Sequence, residues 1–302
     1  MVAGFRRSLS FSTPSPRRSP PPEKSYHVRS ISLPCKSHPL ISQLKDKINE
    51  LRKWESESEA AATTTGFSSS ACLCNGLSHL KNVQDCLDDL LHLPQTQESL
   101  RRRSDWVENL LEDFLRFVDV YGIFRAALLS LKEQHLAAQV SIRRRDESNI
   151  ASYVKSSKRK DKEMRKLASI VRRIGKCSSP ALVSVSSDSD SELAAVLRDV
   201  NQVTVSVSVT LFNGISSSSG SWMTGWRAQK IKKEKGIWEF EEAKLQSLRW
   251  LRKKGDEEEV RMSLISRLQA LDDCIGGIES GSEKVFRSLM NTRVSLLNIL
   301  TQ

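Results

Sequence analysis

The chain has 302 residues, of which 38% are apolar and 6% aromatic, and its net charge is +11. These values fit one large domain or two ordinary ones, and the low apolar fraction places part of the chain outside any core. No stretch of about 20 apolar residues is present, so we expect no membrane-spanning helix. The six cysteines form no CxxC pair and match no zinc-site spacing, which predicts free thiols in a reducing compartment.

The positive charge is concentrated in two segments. Residues 1–34 carry a net charge of +5 and residues 141–176 a net charge of +9, so the remainder of the chain is weakly acidic. Any electrostatic function should therefore be sought in these two segments.

The first segment belongs to an arm, residues 1–38, that contains six of the nine prolines and a single acidic residue. Such a composition buries too little apolar surface to offset chain entropy, so we predict a disordered Arg/Ser/Pro-rich arm. An Arg- and Ser-rich, acid-poor N-terminus also occurs in organelle transit peptides, which makes a chloroplast signal a less favoured alternative.

From Pro39 onward, apolar residues recur every three to four positions and predict helices. The first helix should end near Trp54, and the Ser-rich residues 55–76 should form a linker before a short helix that Pro94 stops. Ser104 is then placed to cap a long helix that runs to about Ile142.

The second half of the chain continues this pattern. Helices are predicted over 149–174, 226–254 and 256–302, with further Ser-rich loops near 177–191 and 213–225. We therefore predict an all-α fold: an elongated bundle of about seven helices that forms a single domain over residues 39–302.

Residues 191–213 are ambiguous at the local level. Their second half, "VTVSVSVTLF", alternates with period two and is rich in β-branched residues, which favours a strand. No second strand is predicted to pair with it, and an isolated strand is not stable. We therefore predict a helix here.

The sequence contains no recognisable catalytic, nucleotide-binding or metal-binding motif. The pair Cys72 and Cys74, and the histidines His79 and His92 around an acidic helix, lack partners at ligand spacing. We therefore expect no catalytic residues, no metal and no cofactor, and predict that the chain is not an enzyme.

The basic segment 143–176 allows three interpretations. It can be a solvated helix face, a contact surface for anionic lipid, or a nucleic-acid surface. The last is disfavoured because Tyr153 is its only aromatic residue. The candidate contact residues for an anionic surface are Arg143, Arg144, Arg145, Lys158, Arg159 and Lys160.

The arm contains a short phosphorylation motif. Arg29 lies three residues before Ser32 and Pro34 lies two after it, and together with Ser30 they form Arg-Ser-x-Ser-x-Pro. A phosphoserine in this setting adds nearly two negative charges that an arginine cluster in a 14-3-3 groove can bind. The alternative is a chance match in a segment rich in Ser and Arg.

Several separated blocks resemble the plant BYPASS-type family, from about residue 26 to residue 302. They begin with "HVRSISLPCKSHPL" and continue with "LDDLLHLPQTQ" and "VLRDVNQVTVSVSVTLF"; the ending "TRVSLLNIL" at 292–300 is the most specific. The resemblance implies a plant-restricted helical protein associated with root and shoot development, and it supplies no catalytic residue.

We therefore expect a non-enzymatic regulatory or interaction protein of root and shoot development, switched by phosphorylation of its arm. The alternative is a peripheral membrane adaptor, in signalling or exocytic trafficking, that uses residues 143–176. Both functions favour the cytoplasm, with membrane association in the second, over the nucleus or chloroplast. The oligomeric state and the identity of the protein partners do not follow from the sequence.

The arm hypothesis predicts that a peptide of residues 26–38 phosphorylated at Ser32 captures 14-3-3 protein. The Ser32→Ala peptide should not, because it lacks the charge that the arginine cluster binds. Fluorescence polarisation of the two peptides measures the difference. Equal binding of both peptides, or binding of neither, would refute the hypothesis.

Overall fold

The structure is a computed structural model that describes residues 38–65, 69–177, 188–216, 237–252 and 258–301. In these ranges it contains eight α-helices and no β-strand, which confirms the all-α bundle, with one helix more than predicted. Residues Ser37–Gln302 form one compact unit. The helices are α1 Pro39–Thr65, α2 Ser70–Leu91, α3 Pro94–Arg101, α4 Ser104–Arg143, α5 Glu147–Cys177, α6 Asp188–Ile215, α7 Trp238–Arg252 and α8 Glu258–Thr301.

Five helices close a ring of contacts in the order α2, α8, α4, α5 and α6. α1 packs across α2 and α6, and α7 packs across α5 and α8. The apolar rows of these helices meet in one core, in which the rings of Phe124 and Phe212 lie 4.8 Å apart between centroids. Each helix is thus stabilised by packing on at least two neighbours rather than by its own propensity.

The helix predicted over 191–213 is confirmed by α6. The apolar and the hydroxyl-bearing residues of the alternating stretch form two adjacent rows on α6, and both rows are buried. Val203, Val207 and Leu211, four residues apart, are buried in the core, while Thr204 and Ser208 are buried and hydrogen-bonded. The tertiary contacts therefore override the local strand preference.

Three predicted boundaries are wrong. The Ser-rich linker over 55–76 is largely helical, since α1 continues to Thr65 and α2 begins at Ser70. Glu and Ala dominate residues 55–62, and both are strong helix formers. Ser69 caps α2, its Oγ accepting a hydrogen bond from Cys72 N at 3.2 Å. The predicted loops at 177–191 and 213–225 are likewise helical at 188–191 and 213–215.

The connection between α2 and α4 also differs from the prediction. Pro94 does not merely stop a helix but occupies the first turn of α3, where its missing N–H is no loss. Ser104 is not the cap of α4, because Arg103 holds that position without a side-chain hydrogen bond. The predicted start of a helix at 226 lies outside the described residues, and α7 begins at Trp238.

Three hydrogen bonds between buried polar side chains join α6 to α2 and to α4. Gln84 Nε2 donates to Thr204 Oγ1 at 2.8 Å, joining α2 to α6. Asn201 Nδ2 donates to Asp113 Oδ2 at 2.9 Å, and the Tyr121 hydroxyl lies 3.1 Å from Ser208 Oγ. Such buried bonds fix the relative register of the helices, because breaking one leaves a buried polar group unpaired.

Helices α1 and α2 approach closely because Gly76 has no side chain. A Cβ atom at this position would lie 2.3 Å from Cζ2 of Trp54. The indole of Trp54 is buried, and its Nε1 donates to the Cys72 carbonyl at 3.0 Å. The indole therefore has little freedom to move away.

We predict that Gly76→Ala lowers the free energy of unfolding by about 1–3 kcal/mol, the usual cost of overpacking a core. Urea unfolding followed by circular dichroism measures the change. Gly276→Ala is the matched control, because a Cβ atom there meets nothing within 4 Å. This substitution in the interior of α8 should stabilise the fold by about 0.5–1 kcal/mol. A loss of stability in both variants would contradict the packing argument.

His135 of α4 is buried against the neighbouring helices α5 and α8. Its Nε2 donates to the Leu268 carbonyl at 2.5 Å, and its ring lies 6.3 Å from that of Tyr153 between centroids. Burial lowers the pKa of His135 below its ordinary 6.5, although the Leu268 carbonyl and the charge of Asp272 partly oppose this. The folded protein therefore keeps this imidazole neutral at a pH where the unfolded chain protonates it.

The contribution of His135 to stability should accordingly be complete above pH 6.5 and decline as the pH falls below that value. His135→Gln keeps a donor for the Leu268 carbonyl but cannot titrate, so its free energy of unfolding should fall less over the same pH range. His135→Leu should be less stable at every pH yet equally insensitive. Urea unfolding at a series of pH values tests this; parallel profiles for wild type and His135→Gln would disprove it.

Candidate functional site

The strongest concentration of charge in the described residues lies on α5. The helix is anchored by a buried row of apolar side chains on one side: Ile150, Tyr153, Val154, Met164, Leu167, Ala168, Val171 and Ile174. This row packs against α4 and α6, and α5 also contacts α7. Because the row occupies only one side of the helix, most of its surface remains open to solvent.

A buried ion pair strengthens the anchoring of α5 on α7. Lys244 Nζ lies 3.0 Å from Asp161 Oδ2, and the two side chains are only 11% and 6% exposed. Removing one partner would leave the other charge buried without its main counter-ion, which is strongly destabilising. This pair therefore holds the orientation in which α5 presents its outer side.

The outer side of α5 carries a set of exposed basic residues. At 100° per residue, these side chains fall within an arc of about 100° and extend over about 27 Å of helix. We call this set the basic face; its members are Lys155, Lys158, Arg159, Lys162, Lys166 and Arg173.

The acidic residues of α5 do not neutralise the basic face. Asp161 is buried against Lys244, and Glu163 accepts a hydrogen bond from Lys160 at 2.9 Å. Glu147 lies in the first turn of α5, about two turns before the first lysine of the face, where its negative charge interacts favourably with the helix dipole. The basic face therefore retains a strong positive potential.

The structure separates the residues predicted to contact an anionic surface. Lys158 and Arg159 belong to the basic face. Arg143, Arg144 and Arg145 are exposed at the end of α4 and in the turn before α5. Lys160 differs, because its side chain is only 18% exposed and pairs with Glu163.

Arg145 has a structural role as well as a charge. Its φ is 58°, and it is the left-handed residue that ends α4. In this geometry Asp146 N donates to the Ser141 carbonyl at 2.9 Å, which satisfies a carbonyl at the helix end. Arg145 also approaches Glu258, with 4.0 Å between Nη2 and Oε2.

Four residues of the basic face were not singled out from the sequence: Lys155, Lys162, Lys166 and Arg173. The prediction favoured the dense runs of Arg and Lys rather than residues that share one side of a helix. The spacing of three, four and seven residues was the signal that could have identified them.

The acidic residues near His79 and His92 serve contacts between helices. Asp85 and Asp88 accept hydrogen bonds from Ser288 and Ser295 of α8, at 2.7 and 2.6 Å. Across the described ranges, no three His, Cys, Asp or Glu side chains come together as a set that could hold a metal ion.

The cysteines on α2 lie in a helix rather than in the predicted loop. Cys72 Sγ is 3.4 Å from Ser58 Oγ of α1, and a Cβ atom at Gly277 of α8 would lie 3.0 Å from Cys74 Sγ. Burial raises the pKa of the Cys74 thiol, and it raises the pKa of the neighbouring Cys274 to about 12. Both thiols are therefore protonated at neutral pH and unsuited to nucleophilic chemistry.

The proposed phosphorylation motif, Arg29, Ser30, Ser32 and Pro34, lies outside the described residues, as does the whole predicted arm before residue 38. It remains a prediction from the sequence. Among the helices that the structure describes, none is both long enough and apolar enough to span a membrane.

Comparison with known proteins gives one informative result. The family model described as Protein BPS1 matches residues 76–299, which include α3, α4, α5, α6, α7, most of α2 and nearly all of α8. No curated protein and no solved structure matches the chain significantly. The resemblance to the BYPASS-type family is thereby confirmed: the chain belongs to the Protein BPS1 family, and this membership supports its being a plant developmental protein.

Proposed function

We propose that the chain is a non-enzymatic regulatory protein of plant root and shoot development that docks on an anionic membrane surface through the basic face. The observation that carries this proposal is the alignment of six exposed basic residues on one side of α5. Family membership supports the developmental part.

The charge of the basic face is large enough for membrane docking. Each Lys or Arg near an anionic leaflet contributes about 1 kcal/mol of binding free energy. Six such residues would supply about 6 kcal/mol if all of them reached the surface, which suits reversible peripheral binding. The attraction is electrostatic, so binding should weaken as the salt concentration rises.

The composition of the surface favours lipid over nucleic acid. Tyr153, the only aromatic residue of α5, is buried, so the basic face offers no ring on which a base could stack. The described large apolar side chains that are exposed belong to α4 and α8, so α5 brings none to insert between acyl chains. The expected binding is therefore to the charged headgroups.

The basic face predicts that Lys158→Glu, Arg159→Glu and Lys162→Glu together weaken binding to phosphatidylserine-containing vesicles by more than about 100-fold, since at least three attractive charges are lost. Liposome flotation of the full chain measures this effect. The matched control reverses Lys53, Arg102 and Arg116, which are also exposed, and should lose less than about tenfold.

Two further comparisons sharpen this test. Lys160→Glu alone should change binding little, because its side chain is turned toward Glu163. Vesicles of phosphatidylcholine alone should bind neither the wild type nor the variants. If the triple reversal leaves binding to anionic vesicles unchanged, the membrane role is wrong. In plants that lack the chain, the triple variant should fail to restore normal root and shoot growth while the control variant succeeds.

A further inference from the structure

Large apolar side chains are exposed on two helices only, within the described parts of the chain. All eight of them lie on α4 or α8. Scattered exposed apolar residues are ordinary, whereas their concentration on one pair of adjacent helices is typical of a binding surface.

Ion pairs across the groove between α4 and α8 show which sides of the two helices are adjacent. Lys132 Nζ lies 2.9 Å from Glu279 Oε2, and Arg125 pairs with Glu283 and lies over the ring of Phe286. Five exposed apolar residues continue these rows at i+4 or i+11, Val140 follows Leu136 by four residues, and Met262 is exposed near the start of α8. We call the result the α4–α8 face; it consists of Leu129, Leu136, Val140, Met262, Met290, Val294 and Leu297.

The two rows run side by side in opposite directions. Arg101 Nε donates to the Ile299 carbonyl at 3.3 Å near one end, and His135 bonds the Leu268 carbonyl towards the other. A Cβ atom on Gly122 would lie 3.9 Å from the Phe286 ring, so these two residues are at the same level along α4 and α8. Half-buried Leu111, Leu115 and Val118 extend the apolar surface on α4.

The dimensions of the α4–α8 face match those of a dimer interface. α4 has 40 residues and α8 has 44, so the face is about 60 Å long. Two helices side by side are about 20 Å wide, which offers on the order of 1,000 Å² to a partner. A stable interface needs about 800 Å² from each partner.

We propose that this face binds a second copy of the same chain, with a two-fold axis running along the groove between α4 and α8. Such an axis lays α4 of one copy over α8 of the other at the same level. The partner then supplies two helices of the required length and direction. Leu115 and Val118 come to lie over Val294 and Met290 of the second copy.

The charges beside the apolar rows support a second copy as the occupant. The outer flank of α4 exposes Glu108, Glu112 and Asp119, whereas the outer flank of α8 exposes Lys284 and Arg287. Since Gly122 is level with Phe286, the two-fold arrangement places Asp119 of one copy within about two residues of the level of Arg287 of the other, twice per dimer. It also brings Glu133 near Asp273, a repulsion between exposed carboxylates that salt and water screen.

The decisive experiment is light scattering of the full chain during size-exclusion chromatography over a range of concentrations. The wild type should approach twice its 34.0 kDa at high concentration and return to 34.0 kDa on dilution. Val294→Asp with Leu297→Asp should raise the dissociation constant by at least about 100-fold, because charges would be buried in the dimer. Gln202→Asp, at an exposed position on α6, should leave it unchanged.

Charge exchange distinguishes a second copy from any other partner. Asp119→Lys and Arg287→Asp should each weaken the dimer about tenfold or more, because each places like charges opposite one another twice. A mixture of these two chains should form a heterodimer as tight as the wild type, since both contacts become attractive again. These exposed substitutions should leave the circular dichroism spectrum and melting temperature unchanged.

A wild-type mass of 34.0 kDa at every concentration would overturn the proposal and assign the α4–α8 face to a different partner. A dimer that survives Val294→Asp with Leu297→Asp would overturn it as well. So would the failure of the mixed chains to associate.

Discussion

Helix α8 has to be covered on two sides at once, and the arrangement of the other helices follows from this requirement. One row of its apolar residues, from Leu264 to Ile299, is almost completely buried, while a second row that includes Met290 and Val294 remains exposed. α2 and α4 cover it along most of that length, and α7 covers its first part. A helix about 66 Å long that is buried in this way aligns every helix in contact with it.

The close packing of α2 on α8 depends on small residues. A Cβ atom at Gly281 would lie 2.9 Å from Cδ1 of Leu77, and Ser282 beside it is fully buried. Farther along, the hydroxyls of Ser288 and Ser295 donate to carboxylates of α2. Small side chains thus let the helices approach, and the hydrogen bonds that follow prevent them from sliding.

The bundle separates its two distinctive surfaces onto different helices. The buried apolar residues of α5 lie on one side of the helix, so it presents its basic residues outward. α4 and α8 carry further large apolar residues that remain exposed after the two helices pack together. Electrostatic docking through α5 and self-association through the α4–α8 face are therefore compatible proposals, because neither surface covers the other.

The helices and the core could be predicted from the sequence alone, because apolar side chains spaced three to four residues apart lie on one side of a helix, and no partner strand was predicted that could stabilise a sheet. The family could also be recognised from separated blocks in order. Only the tertiary structure decided that Trp54 of α1 packs on Gly76 of α2, that the side chain of Lys160 is largely covered, and that Cys274 is buried enough to remain protonated. Each of these depends on which surfaces meet across the bundle. A local pattern of residues states what a helix must bury, but it does not state which neighbour buries it or which of its charges remain in water.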